Sequence, residues 1–553
     1  MKPEEWLDKI KDADSEFDGL HSRMRGDADL AKKKSYSLTD SEGNVVPNCD
    51  NVTLPLAAVF LNRANALVAG SDQQIIVETS PKDEKKNSTI ESFLTDLYIS
   101  IDEYLNGKGY PDLFLFHSHM INSRGRIGQR NTLRMEKEKF IPDALPLDCL
   151  DLVYETGEGG LAWGAPTFTR TKAQIEKEYE KDTGKATSEI RDLWTPDEEI
   201  IFLDNDFLQT NKNPRGYPPI VVQASTAGLM FLDSDRLKNS GESILWLNRD
   251  LYEEINKTAS IIHTLSASSL FPVYQKEYEQ IPVKKPENLP TAGKRATIPV
   301  KKGELFSLIP KQDLMAAVRL DWAILKSQLQ EGSFSTAQMG TLQFPISGVL
   351  LRQLEAGRQL VLIHSIQALS MLYRASSRML IKQYIELGGN IPIGAEGKKK
   401  TYSKADLEGD YSISFKYFQS SREQQIAGAA EAEAMGDLVS DSYKRRELIQ
   451  VNEPDKVESE LRAEQAAKAD PVIALYQQMH SLIDEDKDIE ARLVLRKIKM
   501  MLRQQSAPTE TPEEKTKIPA GTIPLMGGGG QGGGRQPGDE GEEELQKAEQ
   551  EAG

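Results

Sequence analysis

Apolar positions recur at helical spacing over most of this chain. Trp6, Ile10, Ala13 and Phe17 lie three and four residues apart and predict a helix from Met1 to about Ala31. A second helix is predicted from Leu54 to Val68, with Pro55 near its first turn and Gly70 just past its end. A third runs from Ile90 to Tyr104 and stops near Gly107; a fourth covers Pro111 to Ser123, after which Gly125 and Gly128 mark a turn. Between 130 and 225 the pattern is mixed. Short β-like runs (Leu150 to Tyr154, Thr167 to Arg170, Glu199 to Leu203, Ile220 to Gln223) alternate with a helix from Lys172 to Lys181, which reads as an α+β domain.

The pattern then becomes more regular. Asn239 followed by Glu242 reads as a capping box, and Ile244, Leu247, Leu251, Ile255, Ala259 and Ile262 form the apolar face of a helix running to about Ser268. Pro272 breaks it. Residues 272 to 312 are rich in proline, β-branched residues and paired lysines and predict a small β-rich excursion. A helix follows from Asp313 to Gln330, then a loop with Phe334, Met339, Leu342 and Phe344 among small polar residues. The longest helix begins after Pro345 and ends at Gly388-Gly389, about 40 residues or roughly 60 Å. A helix of that length needs continuous lateral partners, so the helical core between Asn239 and Gly389 is expected to be the working part. Tyr411, Ile413, Phe415 and Tyr417 alternate as in a strand, and 422 to 504 is helical again, with Ser440 and Asn452 as caps and Pro454 and Pro471 as starts or breaks. From Ser506 proline, glycine and acidic residues dominate, and disorder is expected.

Composition narrows the function. The net charge is −17, so a nucleic acid gripped by the whole surface is not expected. Cys49 and Cys149 are the two cysteines; they form no metal-ligand spacing or disulfide framework and fit a reducing compartment. The charged, amphipathic start does not read as a signal peptide. The most apolar stretch, between Arg358 and Arg374, is roughly 15 residues long, short of the about 20 a membrane span needs, so no membrane contact is expected.

Candidate chemistry is sparse. His117 and His119 point apart on a helix and share a face on a strand; the helix is the expected setting, without an acidic or cysteine partner nearby. The glycines at 157, 159 and 160 and the run from Gly527 to Gly530 lack the Lys-Ser or Lys-Thr of a phosphate loop. Ser266, Ser268 and Ser269 lack the glycines of a nucleophile elbow. Neither an enzyme nor a cofactor is therefore expected. Lys284, Lys285, Lys294, Arg295, Lys301 and Lys302 are concentrated in an acidic chain. They suit either docking to an acidic partner or phosphate, or a solvated hairpin whose lysines guard its edges. The loop from 331 to 344 reads as a mobile projection from rigid helices.

The order of elements resembles the portal proteins (head–tail connectors) of tailed double-stranded DNA bacteriophages. Phe344-Pro-Ile-Ser-Gly-Val-Leu-Leu-Arg-Gln-Leu354 is similar to the portal stretch after the tunnel loop. Met435-Gly-Asp-Leu-Val-Ser440, Lys444-Arg-Arg-Glu-Leu448 and Asn452-Glu-Pro-Asp455, leading into Glu458 to Glu464, resemble the C-terminal helix pair. Gly160-Leu-Ala-Trp163 and the helix after Thr171 resemble the N-terminal domain. The resemblance covers most of residues 1 to 505, and the order of elements is more specific than these motifs.

The resemblance implies a mainly helical α+β subunit of a dodecameric ring at one capsid vertex of the virion, made in the cytoplasm of a bacterial host. Double-stranded DNA would be packaged and ejected through its axis, and the ring would nucleate procapsid assembly with capsid and scaffolding proteins. The N-terminal wing would be 1–225, with a β return at 389–425. Stem helices would fall at 226–270 and 313–330, the clip at 271–312, the tunnel loop at 331–347, the long spine helix at 348–388, the crown at 426–505 and the tail at 506–553. Ser333, Phe334, Ser335, Thr336, Gln338 and Met339 would meet DNA in the channel. The six basic clip residues would dock the terminase large subunit and then head-completion or adaptor proteins. ATP hydrolysis would belong to the terminase. Two other readings predict different outcomes: another head or tail structural protein, or a metal-dependent DNA-processing enzyme using His117 and His119.

Overall fold

The structure is a computed structural model describing residues 2–47, 49–80, 85–229, 237, 240–270, 274–279, 297–303, 314–334, 348–418, 422–484 and 487–505. It is a mixed α/β chain with more helix than strand, in two compact units, Met1–Gln465 and Ala466–Gly553.

Helix α1 (Pro3–Ala31) buries Ile10, Ala13, Phe17, Leu20, Met24 and Asp27, a stripe at alternating spacings of three and four. Then come α2 (Leu56–Ala69), strand β1 (Asp72–Thr79), α3 (Lys85–Gly107) and α4 (Leu113–Arg124). Gly125 ends α4 with φ 71°, a left-handed cap that suits glycine. β2 (Arg126–Glu136) and β3 (Lys139–Leu147) form a hairpin. β4 (Leu152–Gly157), β5 (Gly160–Thr171), α5 (Lys172–Tyr179), β6 (Thr187–Trp194), β7 (Glu198–Leu203), β8 (Asp206–Lys212) and β9 (Ile220–Ala224) follow. Strands β4 to β8 make an antiparallel meander in chain order, and β9 pairs with β2 to give a sheet of order β3-β2-β9. Thr171 caps α5 reciprocally with Gln174.

Helices α6 (Arg249–Leu270) and α7 (Leu314–Glu331) flank β10 (Tyr274–Tyr278) and β11 (Thr297–Lys301) in the sequence. Two strands, β10 and β11, fall in the expected excursion and run parallel; most of the remaining residues from 272 to 312 lie outside the described residues. That corrects the hairpin alternative, because parallel neighbours need a crossover rather than a tight turn. α8 (Gly348–Glu386) has 39 residues, about 58 Å at 1.5 Å per residue. Beyond α9 (Lys404–Leu407), β12 (Tyr411–Phe418) pairs antiparallel with β1, and its alternation buries Ile413 and Phe415. α10 (Arg422–Met435), α11 (Asp441–Tyr443, continued as a wider turn to Leu448) and α12 (Pro454–Ala469) complete the first unit's helices. Ser440 caps α11 by accepting from the Tyr443 N–H.

One core joins α1 to α4, both larger sheets and the C-terminal half of α8. Tyr373 of α8 sits among the rings of Tyr98, Phe114, His117 and Phe415. Gln383 completes β2 as another strand would. Its Oε1 accepts from the Leu133 N–H and its Nε2 donates to the Asn131 carbonyl, both at 2.9 Å.

In the second unit, α13 (Pro471–Asp484) and α14 (Asp488–Gln505) pack around Met479, Ala491 and Ile498. The boundary between the units, at Gln465, falls inside α12.

Two local expectations fail. The helix expected from Asn239 starts at Arg249, after a short tight turn over Trp246–Asn248. Asn239 lies outside the described residues, and Glu242 caps nothing; it is buried in an ion-pair cluster. Asn452, expected as a cap, gives its backbone carbonyl to the Ile75 N–H.

Candidate assembly surface

The start of α6 is seated by charge. On α1 the apolar stripe runs into Asp27, which is 2% exposed. A buried carboxylate needs paired donors. Arg249 supplies two, Nε at 2.7 Å and Nη2 at 3.0 Å, and Ser243 Oγ a third at 2.6 Å. Arg249 also reaches Glu242 at 2.8 Å, and Arg23 meets Glu242 at 2.9 Å. Burial works against the charge on Arg249, but its bonds to Asp27 and Glu242 outweigh this and raise its pKa. For Arg23 burial is the larger influence and lowers its pKa, with Glu242 opposing. The backbones beneath are in close contact: a Cβ on Gly125 would lie 2.2 Å from the Gly241 carbonyl oxygen.

A strap, residues 50–54, runs along α6. The N–H groups of Asp50, Val52 and Leu54 donate to Thr264 Oγ1, Ser260 Oγ and Asn256 Oδ1, at 3.0, 2.9 and 2.9 Å. Alternate residues of an extended chain advance about 6.6 Å, and four helical residues advance about 6 Å. The two periods match over three rungs. Buried Asn256 and Ser260 and half-buried Thr264 on α6 are thereby satisfied.

α6 and α7 run antiparallel. Thr258 Oγ1 donates to Asp321 Oδ2 at 3.1 Å and Asn248 Nδ2 to the Leu329 carbonyl at 3.0 Å. Gly332 rests on Asn248, where a Cβ would lie 2.2 Å from Oδ1. Ser333 Oγ donates back to Leu329 O at 2.6 Å. Phe334 is 6% exposed and packs edge-on against Phe60, ring centroids 5.2 Å apart. The ring expected in the channel thus sits in the core of the single chain, against α2. Ser335, Thr336, Gln338 and Met339 lie outside the described residues.

Large apolar side chains are exposed on α7, just before α6, and on α8. Leu320 and Ile324, one turn apart on α7, are 64% and 52% exposed. Leu360 of α8 is 68% exposed and Leu247 is 58% exposed. Leu360 stands between two grooves. One, of about 240 Å³, includes Trp246, Leu247, Gly332 and His364; the other, of about 630 Å³, includes Leu67, Ile363, Ile366 and Phe418. His364 is tied to Thr226, whose hydroxyl lies 2.7 Å from Nδ1.

Of the basic residues expected in the clip, Lys301 and Lys302 are exposed, Lys302 3.8 Å from Glu279. Lys284, Lys285, Lys294 and Arg295 lie outside the described residues. His117 is fully buried between the Tyr373 hydroxyl at 3.4 Å and the Gly128 carbonyl at 3.3 Å, and burial pushes its pKa down to about 3. His119 points elsewhere, 3.1 Å from Asn65 Nδ2. The structure does not bring the two imidazoles together, and among the described residues no group of His, Cys, Asp or Glu is arranged to hold a metal ion. Among these residues no helix is long and apolar enough to cross a membrane.

The strap and the ion-pair cluster were missed in the sequence. The cluster left one signal: the apolar stripe of α1 continues onto a carboxylate. No family model and no curated protein matches the chain.

Proposed function

We propose that this chain is a ring subunit, a portal protein of a tailed bacteriophage, whose long helices pack laterally against copies of itself. The observation that carries the reading is the set of exposed leucine and isoleucine side chains just before the first proposed stem helix, on the second, and on the proposed spine. Leu247, Leu320, Ile324 and Leu360 are each more than half exposed. Burying a leucine contributes about 1.5–3 kcal/mol, so repeated lateral contacts supply a driving force that a lone chain lacks. The order of elements, with two stem helices around a β-rich excursion and a 39-residue helix after the loop, supports the same reading. In such a ring the net charge of −17 would let a DNA duplex slide without adhering. The clip would receive the terminase and later the adaptor proteins.

Native mass spectrometry and negative-stain imaging of the purified full chain test this. Closed rings are expected, and none with Leu320→Glu together with Leu360→Glu. A chain that stays monomeric from micromolar concentration up to the solubility limit overturns the reading.

A further inference from the structure

The stretch from Arg445 to Glu458 is held on β1 and α3 by polar contacts. Gln74 Nε2 donates to the Val451 carbonyl at 2.5 Å, and the Ile75 N–H to the Asn452 carbonyl at 3.3 Å. Arg446 reaches Glu78 of β1 at 3.4 Å and Asp455 of α12 at 2.8 Å. Arg445 pairs with Glu458 at 2.5 Å within the stretch. Beneath lies Glu91 of α3, 0% exposed. Its Oε1 accepts from the Val77 N–H at 3.2 Å, and its Oε2 has no hydrogen bond, although the Asp455 N–H faces the carboxyl. A cavity of about 620 Å³ opens at the same junction, with Tyr98, Asp102, Asn452 and Lys456 in its walls.

Charge at this junction is unbalanced. Three carboxyl groups, Glu78, Glu91 and Asp455, face one guanidinium, Arg446. Nearby Lys456 is engaged by Glu453 at 2.5 Å. With every group ionised the junction carries a net charge of about −2, and the member without solvent is Glu91. We propose that the stretch from Arg445 to Glu458 is a proton-controlled latch, docked on β1 and α3 while Glu91 is neutral and loosened when Glu91 ionises.

Burial, and then the Asp455 carboxylate, raise the Glu91 pKa from 4.5 to about 8, against the Val77 N–H and Arg446. The docked form therefore holds the proton more tightly than the released form. Docking is strongest below the ordinary pKa and weakens as pH rises through about 8, by up to about tenfold per pH unit. The linkage is independent of whether the chain forms a ring.

Hydrogen exchange of the full chain from pH 6 to 9, divided by the intrinsic rate at each pH, tests this. In the wild type, protection at Ile75 and at the start of α12 is expected to fall about tenfold per pH unit from 6 to 8 and then level off. Glu91→Gln, which imitates the neutral acid, should stay protected with no slope. Asp455→Asn removes a repelling charge, so levelling should begin at lower pH. A flat wild-type profile overturns the latch. So does an unchanged slope in Glu91→Gln, or a parallel loss of protection around Leu369 to Tyr373 of α8, which would mean whole-chain opening. If Glu91→Gln does not fold, an unmoved levelling point in Asp455→Asn overturns it.

Discussion

Two stretches of α8 share one backbone, yet parts of them meet different surroundings. From Ala368 to Tyr384 the helix is enclosed: Leu369, Leu372 and Leu380 are 0% exposed. One to two turns earlier, Leu360 is 68% and Ile363 39% exposed. The enclosed half meets β2, β12, α3 and α4 of its own chain through Tyr373, Gln383 and Tyr384. The outward half has the Leu247 groove on one flank and a larger groove on the other. An apolar residue on a helix thus indicates a need for burial; it does not identify the chain that meets it.

Three substitutions bear on this contrast. The largest loss is expected from Glu242→Ala, which leaves Arg23 without the partner it has at 2.9 Å and removes one of the two carboxylates of Arg249. Breaking a buried pair costs about 3–5 kcal/mol, read as a lower midpoint in urea unfolding. Leu372→Ala opens a cavity in the enclosed half and should cost about 2–5 kcal/mol by the same measurement. Leu360→Glu should change the stability of the separated chain by less than about 0.5 kcal/mol while reducing assembly seen by native mass spectrometry. If Leu360→Glu destabilises the separated chain as much as Leu372→Ala, the two halves are equivalent and the contrast fails.

Much of the fold could be read locally. The helices starting at Pro3, Leu56 and Leu314, the long helix with its Gly388-Gly389 end, the Ser440 cap and the alternation of Tyr411 to Tyr417 all follow from periodicity and capping. β1 escaped because its Asp-Gln-Gln start reads as polar and its partner, β12, lies near the other end of the chain. Asn239 and Glu242 have the spacing of a capping box, but Arg23 and Arg249 bind that glutamate more strongly than an N-terminal amide would. Phe334 has the sequence neighbours of a loop residue, and only the position of Phe60 makes it core. The candidate surface was legible as a need for lateral partners along the long helix. Its particular side chains, Leu247, Leu320, Ile324 and Leu360, were not, because burial on the other faces had to be known first.

The sequence by itself determined where most helices start and stop, which strand near Tyr411 alternates, and that the chain is acidic. These follow from interactions within a turn or two and from counting charges. Tertiary structure alone decided which apolar faces are covered and which carboxylates are paired. It also decided that α6 begins at Arg249 and that Glu91 lies beneath the stretch leading into α12. Burial and ion pairing depend on segments brought together from distant parts of the chain, so no local window contains them.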